Sequence, residues 1–211
     1  MKNKYVNFIT DEHLLSCIAN LHKAYLKAKS NVSRNSLYSN KVDTIKLTFD
    51  SKFNNIDEED LIQSEILRQI DKSINNSIGT FHEQILGGIN GFELGSLSGF
   101  DIKANDDTLF AIFNRAEIHA NIEEGIFDKL AKQASIFKKS NCYYVDFLIN
   151  SIYSEKWIIG NSESSTSHKR VYKISADKFY DLITGQNQTL LQLNNALPNA
   201  IKDFLESIAS S

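Results

Sequence analysis

The sequence is poor in cysteine and has no long apolar run. Its two cysteines, Cys17 and Cys142, lie in different predicted elements without a partner motif. This argues against a disulfide or a zinc site and predicts buried thiols in a reducing compartment. No run approaches the ~20 apolar residues that span a bilayer, and the opening residues 1–5 lack a signal-peptide core. We therefore predict a cytoplasmic protein with no membrane partner.

The sequence also lacks a strong excess of charge. A net charge of -3 argues against a protein that coats nucleic acid non-specifically. It allows a nuclease, because a metal site needs carboxylates and phosphate contacts can be local. The 42% hydrophobic and 23% charged residues are ordinary for a globular chain of 211 residues. We predict one domain over 1–211, with an N-terminal helix and irregular segment over 1–57 and a core over 58–208.

Glycine is concentrated between residues 87 and 99 without forming a phosphate-binding loop. That stretch lacks the Gly-Lys-Ser/Thr sequence of a P-loop. A flexible approach to the strand that follows is a sufficient explanation for it.

The strand after the glycines carries an isolated carboxylate. Residues 99–102 and 108–115 are β-branched and aromatic, and the polar residues 104–107 between them predict a tight turn. Asp101 leaves the first strand, and the second ends beside Asn114, Arg115 and Glu117. Metal-dependent nucleases use a similar layout to hold Mg²⁺ near a phosphate. An edge hairpin with polar ends is the simpler alternative.

Helices are predicted on both sides of this hairpin. The clearest begins at Asp57 and carries isoleucines four residues apart, with Glu65, Arg68 and Gln69 on its polar face. That face is either solvated, with a Glu65–Arg68 ion pair, or turned toward DNA and metal. A short helix over 78–88, closed by glycine, carries His82 as either a core residue or a phosphate contact.

The remaining pattern predicts an α/β layer architecture. We expect strands over 44–49, 142–149, 157–159 and 170–174, and a crossover helix over 121–139. A loop is predicted over 161–168, a helix over 177–183, and a final helix after Pro198.

Two separated blocks resemble the type II restriction endonucleases that cleave GGNCC-type sites, a branch of the PD-(D/E)xK nucleases. The first block comprises 64–69, 78–87 and 99–102, and the second runs from 170 to 185 and on to 198. The resemblance covers residues 58–208. It implies a restriction-endonuclease-like fold, a central mixed β-sheet flanked by helices. It also implies a homodimer that clasps palindromic double-stranded DNA and uses Mg²⁺ to hydrolyse one phosphodiester per strand.

The resemblance assigns roles to individual residues. Asp101 matches the first acid of the motif and would bind the metal, while Glu65 and His82 match polar positions of the upstream helices. Glu65 would add a metal ligand. Apart from the resemblance, residue chemistry makes Arg68, Gln69, His82 and Arg115 the candidates for contacts to phosphate or base edges.

The second strand departs from the family pattern Ala-Glu-x-Lys-Asn-Lys. Ile112 and Asn114 occupy the positions of the Glu and the Lys. Three alternatives follow: an altered or inactive strand, a site that migrated to Glu117 as acid and metal ligand with His119 as helper, or a motif formed by Asp101 and Lys103 with Glu93. The function is then either site-specific cleavage, DNA binding by a catalytically inactive relative, or a scaffold alone.

Overall fold

The computed structural model describes residues 3–31, 44–95, 99–114, 120–148, 151–160 and 165–210. They form two compact units, one of Met1–Cys17 with His82–Ser211 and the other of Ile18–Phe81. The single domain predicted over 1–211 stays a prediction.

Three helices precede the first three strands of the described chain, a single helix leads to the next three strands, and two helices follow them. Their order is α1 (Asp11–Asn31), α2 (Thr44–Asn54), α3 (Glu58–Gly87), β1 (Phe92–Leu94), β2 (Ile102–Ala104), β3 (Leu109–Asn114), α4 (Ala120–Ile136), β4 (Asn141–Asp146), β5 (Ser154–Gly160), β6 (Ser165–Ser175), α5 (Ala176–Thr184) and α6 (Thr189–Ala209). Among the described helices, none combines the length and the apolar character that crossing a membrane requires.

The strands form one mixed sheet in the order β1-β2-β3-β4-β6-β5. The meander β1-β2-β3 is antiparallel, whereas β3, β4 and β6 run parallel and β5 returns antiparallel to β6. A parallel pair needs a crossover, and α4 supplies it between β3 and β4. The predicted α/β class and the central mixed sheet with flanking helices are confirmed.

Aromatic side chains fill both faces of the sheet. Under α4, Trp157 stacks on Tyr144 with ring centroids 4.5 Å apart and meets Phe127 of the helix edge-on. On the opposite face, Phe179 of α5 contacts Phe113 and Tyr143. Because side chains alternate along a strand, Phe110, Ile112 and Asn114 of β3 share the α4 face.

Two predicted element boundaries are wrong for local reasons. The segment 44–49 is part of helix α2, where Phe49 and Phe53, one turn apart, pack with ring centroids 5.1 Å apart. The separate helix predicted over 78–88 is the end of the continuous helix α3, because a single glycine such as Gly79 costs a helix only ~1 kcal/mol.

Two further boundaries differ near the C-terminus. Strand β6 already begins at Ser165, within the predicted loop 161–168, and residues 161–164 lie outside the described part of the chain. Pro198 lies inside α6 instead of preceding a new helix. Its missing N–H leaves the carbonyl of Asn194 without its helical partner, and Asn194 is exposed, so that water can satisfy the carbonyl.

The prediction of buried thiols is confirmed. Cys17 and Cys142 are both free and buried. Burial raises the pKa of Cys17 to about 11 and that of Cys142 to about 12, so both thiols stay protonated at neutral pH.

Arg170 of β6 ties the end of α4 to the start of β4. Its Nε donates to Ser140 O at 3.1 Å and its Nη2 donates to Ala134 O. We expect Arg170→Ala to lower the free energy of unfolding by about 1–3 kcal/mol in urea denaturation, because it leaves buried carbonyl groups unpaired. The exposed neighbour Lys169 provides the matched control. An equal loss in Lys169→Ala would contradict the assignment.

Candidate active site

Asp101 lies immediately before β2 and is held against β3. Its N–H donates to Ala111 O at 2.9 Å, and its Oδ2 accepts the N–H of Phe113 at 2.6 Å. These two bonds lie on either side of Ile112. Lys103 of β2 pairs with Phe110 in the antiparallel register, so strand alternation puts Asp101 and Ile112 on the face covered by α4.

The approach to Asp101 is fixed by its neighbours on that face. Gly99 has a φ of 75°, a left-handed conformation that favours glycine. Lys129 of α4 donates to the carbonyl of Gly99, and its Nζ lies 4.8 Å from the centre of the buried Phe100 ring. The carboxylate therefore follows a segment that is anchored to both the sheet and the helix.

The position of the family lysine is next to a carboxylate that sequence reasoning missed. Asn114 ends β3 and is the register partner of Asp146, which ends the parallel strand β4. Asp146 is 7% exposed. Its Oδ1 accepts the N–H of Leu148 at 3.0 Å and lies 3.4 Å from Asn114 Nδ2, and its Oδ2 accepts the Tyr153 hydroxyl at 3.4 Å. The sequence carried a signal for this residue, because Asp146 directly follows the buried run 142–145 of a predicted strand.

The remaining predicted catalytic residues lie outside the described ranges. Arg115, Glu117 and His119 fall in the undescribed segment 115–119, so their roles stay predictions. Among the described residues, no group of three or more His, Cys, Asp or Glu side chains could hold a metal ion. The carboxylate of Asp101 is a suitable oxygen donor for a hard divalent cation, whereas the side chain of Ile112 donates nothing.

The alternative motif of Asp101 with Lys103 leads to a different contact. Lys103 Nζ lies 2.9 Å from Glu93 Oε1, across the β1–β2 pair, and 3.5 Å from Asp107 Oδ1. Two carboxylates therefore engage this lysine at the edge of the sheet.

Glu65, Arg68 and Gln69 form one hydrogen-bonded group on α3, within the unit Ile18–Phe81. Arg68 Nε donates to Glu65 Oε2 at 2.7 Å and its Nη2 donates to Oε1 at 2.6 Å, while Gln69 Nε2 donates to Oε1 at 3.0 Å. The hydrogen bonds from Arg68 lower the pKa of the buried Glu65 carboxyl. The ion pair proposed from the sequence is present, and roles in DNA and metal binding stay predictions.

The contribution of the Glu65–Arg68 pair to the stability of the fold should depend on pH. Because the pKa of Glu65 is lowered, the pair stabilises the fold above the ordinary value of 4.5, and this stabilisation is lost as pH falls through the lowered pKa. Arg68 is 56% exposed, so we expect Arg68→Ala to cost at most about 1 kcal/mol at neutral pH. The melting temperatures of the wild type and Arg68→Ala should therefore converge as the pH is lowered.

DNA binding separates the two interpretations of Arg68. If Arg68 reads a guanine, the alanine variant binds its site more weakly by about 1–3 kcal/mol. The exposed Lys72 on the same helix is the control. A change in melting temperature without a change in binding would leave Arg68 with the ion-pair role alone.

His82 lies at the end of α3 among aromatic side chains. Its Nδ1 is 2.8 Å from the hydroxyl of Tyr180, and its ring centroid is 4.7 Å from that of Phe147. Tyr180 is fully buried, and this burial raises the pKa of its hydroxyl. His82 therefore packs beside the core. Its predicted contact with phosphate stays a prediction.

Comparison with known proteins identifies relatives over nearly the whole chain. The sequence profile of the Eco47II restriction endonuclease family matches residues 6–206. Type II restriction enzyme Sau96I of Staphylococcus aureus is 34% identical over 218 residues, which cover 98% of this chain and 84% of that protein. Type II restriction enzyme Eco47II of Escherichia coli is 26% identical over 213 residues, covering 95% and 88%. The matched range includes every strand of the sheet.

Proposed function

The chain belongs to the Eco47II restriction endonuclease family, and we propose that it cuts both strands of DNA at a short GGNCC-like palindrome. It is a type II restriction endonuclease, a site-specific deoxyribonuclease. The match over residues 6–206 is the observation that carries this conclusion. We further propose Mg²⁺ as the metal of this cleavage.

Asp101 is the proposed anchor of the chemistry. Its carboxylate is oriented by the Phe113 N–H, and the segment before it is held by Lys129. Mg²⁺ bound there would polarise the scissile phosphate and make the attacking water easier to deprotonate. Glu117 would supply a second carboxylate, and His119 would accept a proton from the water.

The DNA contacts are assigned by residue chemistry. Arginine, glutamine and histidine side chains bind phosphates or base edges, and this supports DNA-binding roles for Arg68, Gln69, His82 and Arg115. Glu65 would add a carboxylate to the metal site if its pairing with Arg68 opened. Two equivalent cuts in a palindrome suit a symmetric homodimer. Two protonated, buried thiols support a reducing location such as the cytoplasm.

Cleavage of plasmid DNA tests the proposal. A plasmid with GGNCC sites should be cut into discrete fragments in the presence of Mg²⁺, and EDTA should stop the reaction. A plasmid whose GGNCC sites have been mutated is the matched control. Equal cutting of both plasmids would overturn the proposed specificity, and cutting in EDTA would overturn the role of Mg²⁺.

One observation favours a second function, DNA binding without cleavage. Ile112 and Asn114 replace the acidic and basic residues of the family motif. The two are uncharged, so they cannot provide the anionic metal ligand and the cationic helper of that motif. A gel shift with specific and mutated duplexes, at a stated salt concentration, tests it. Specific binding without any cut would favour this function over the first.

A further inference from the structure

The ends of two parallel strands bring Asn114 and Asp146 together on the α4 face of the sheet. They are register partners on β3 and β4, and Asn114 Nδ2 lies 3.4 Å from Asp146 Oδ1. We call these two residues the Asn114–Asp146 pair. Asp101 approaches β3 from the other side, where it bonds to Phe113, the residue before Asn114.

Asp146 is a buried carboxylate with neutral partners. Its hydrogen bonds come from the Leu148 N–H, the Asn114 amide and the Tyr153 hydroxyl, two of them as long as 3.4 Å. Within the described ranges, no Lys, Arg or His pairs with it. A buried negative charge is costly unless a positive charge compensates it. Burial, and after it the charge of Asp146, raise the pKa of Tyr153.

Asn114 adds an oxygen that lacks a hydrogen-bond donor. Its Oδ1 is sealed from solvent and has no hydrogen-bond partner in the described structure. Such an atom is uncommon, because an unsatisfied buried acceptor costs about 1–3 kcal/mol. The pair therefore combines an uncompensated carboxylate with an unsatisfied amide oxygen. Carboxylate and amide oxygens are the ligands that hard divalent cations prefer.

We propose that the Asn114–Asp146 pair binds a divalent cation at the carboxyl ends of β3 and β4. The cation compensates the charge of Asp146. It also gives Asn114 Oδ1 a partner once the amide turns so that Oδ1, and not Nδ2, faces the carboxylate. The site lies next to Asp101 and supplies a carboxylate in place of the one that Ile112 does not provide. This catalytic consequence rests on the proposed function, because the cation would serve the same cleavage of DNA.

Direct cation binding tests the pair without DNA. Tb³⁺ bound near Tyr153 should show tyrosine-sensitised emission, and Mn²⁺ should compete for the site. We expect Asp146→Asn, which keeps the shape of the side chain, to weaken both cations by about tenfold or more. The exposed Asp128 on α4 provides the control, and Asp128→Asn should bind like the wild type. Unchanged binding by Asp146→Asn would overturn the proposal.

A second variant keeps the test decisive if Asp146→Asn fails to fold. Asn114→Asp places two carboxylates side by side, so it should bind Mn²⁺ about tenfold more tightly than the wild type. Without a cation, repulsion between the two carboxylates should lower its melting temperature, and Mn²⁺ should restore it. An Asn114→Asp protein that gains neither affinity nor stabilisation by Mn²⁺ would refute the site.

The two proposals can fail separately. Wild-type protein that cuts GGNCC plasmids while Asp146→Asn binds Mn²⁺ normally would end the inference and leave the nuclease mechanism in place. Loss of Mn²⁺ binding in Asp146→Asn, with no cleavage by the wild type, would end the proposed chemistry and support the cation site.

Discussion

Asp101→Ala is expected to slow Mg²⁺-dependent cleavage by about a thousandfold or more. A bound cation contributes several kcal/mol of charge stabilisation in the transition state, and each ~1.4 kcal/mol corresponds to a tenfold change in rate. Removing the carboxylate at the start of β2 removes the ligand on which the proposed mechanism depends. Single-turnover cleavage of a plasmid with one GGNCC site measures the effect.

The structural role of Asp101 has to be separated from this catalytic role. Its Oδ2 accepts the Phe113 N–H at 2.6 Å, so the alanine variant also loses a hydrogen bond of the sheet. We expect a loss of about 1–3 kcal/mol of stability from the unpaired N–H. Asp101→Asn retains an oxygen acceptor without the negative charge, and so should melt near the wild type while cutting as slowly as the alanine variant.

The pair of variants defines the outcome clearly. If Asp101→Asn cuts DNA at the wild-type rate, the carboxylate is not a metal ligand and its role is to close the hairpin. Asp128→Asn, which removes an exposed carboxylate from α4, should leave both melting and cleavage unchanged. If Asp128→Asn also cut DNA more slowly, the effect of the Asp101 variants would come from the general loss of a negative charge.

The sequence predicted the local parts of this fold well. The hairpin that follows Asp101 could be predicted because β-branched and aromatic residues flank a polar turn, although its first strand is Ile102–Ala104 and not 99–102. The strand predicted over 44–49 was wrong, although it rested on the same kind of local pattern. Its apolar residues alternate like those of a strand, but within the described residues no neighbouring strand pairs with it, and Phe49 packs on Phe53 along a helix.

Contacts between distant residues could not be predicted in the same way. Asn114 and Asp146 are 32 positions apart and meet only because α4 carries the chain over to a parallel strand. Ser140 and Arg170 are brought together by the neighbouring parallel pair, β4 and β6. By contrast, the Glu65–Arg68 pair followed from helical spacing alone, because residues three apart share a helix face.

Ile112→Glu is expected to raise the rate of Mg²⁺-dependent cleavage by about a hundredfold. Position 112 lies between the two residues that bond to Asp101, on the same face of the sheet. A glutamate there would place a second carboxylate beside Asp101, and two carboxylates bind a divalent cation more tightly than one. A hundredfold faster reaction requires the barrier to fall by about 2.7 kcal/mol, which tighter binding and better placement of the cation can supply.

The same substitution should make stability depend on the cation. Ile112 is partly buried against the cluster under α4, so a glutamate loses packing and brings a like charge near Asp101. The melting temperature should therefore fall in EDTA and recover in Mg²⁺. Ile112→Gln loses the same packing without adding charge, and it should show neither the recovery nor the faster cleavage. If the glutamate and glutamine variants cut DNA at the same rate, a carboxylate at position 112 does not assist the metal, and the catalytic acid lies elsewhere in the chain.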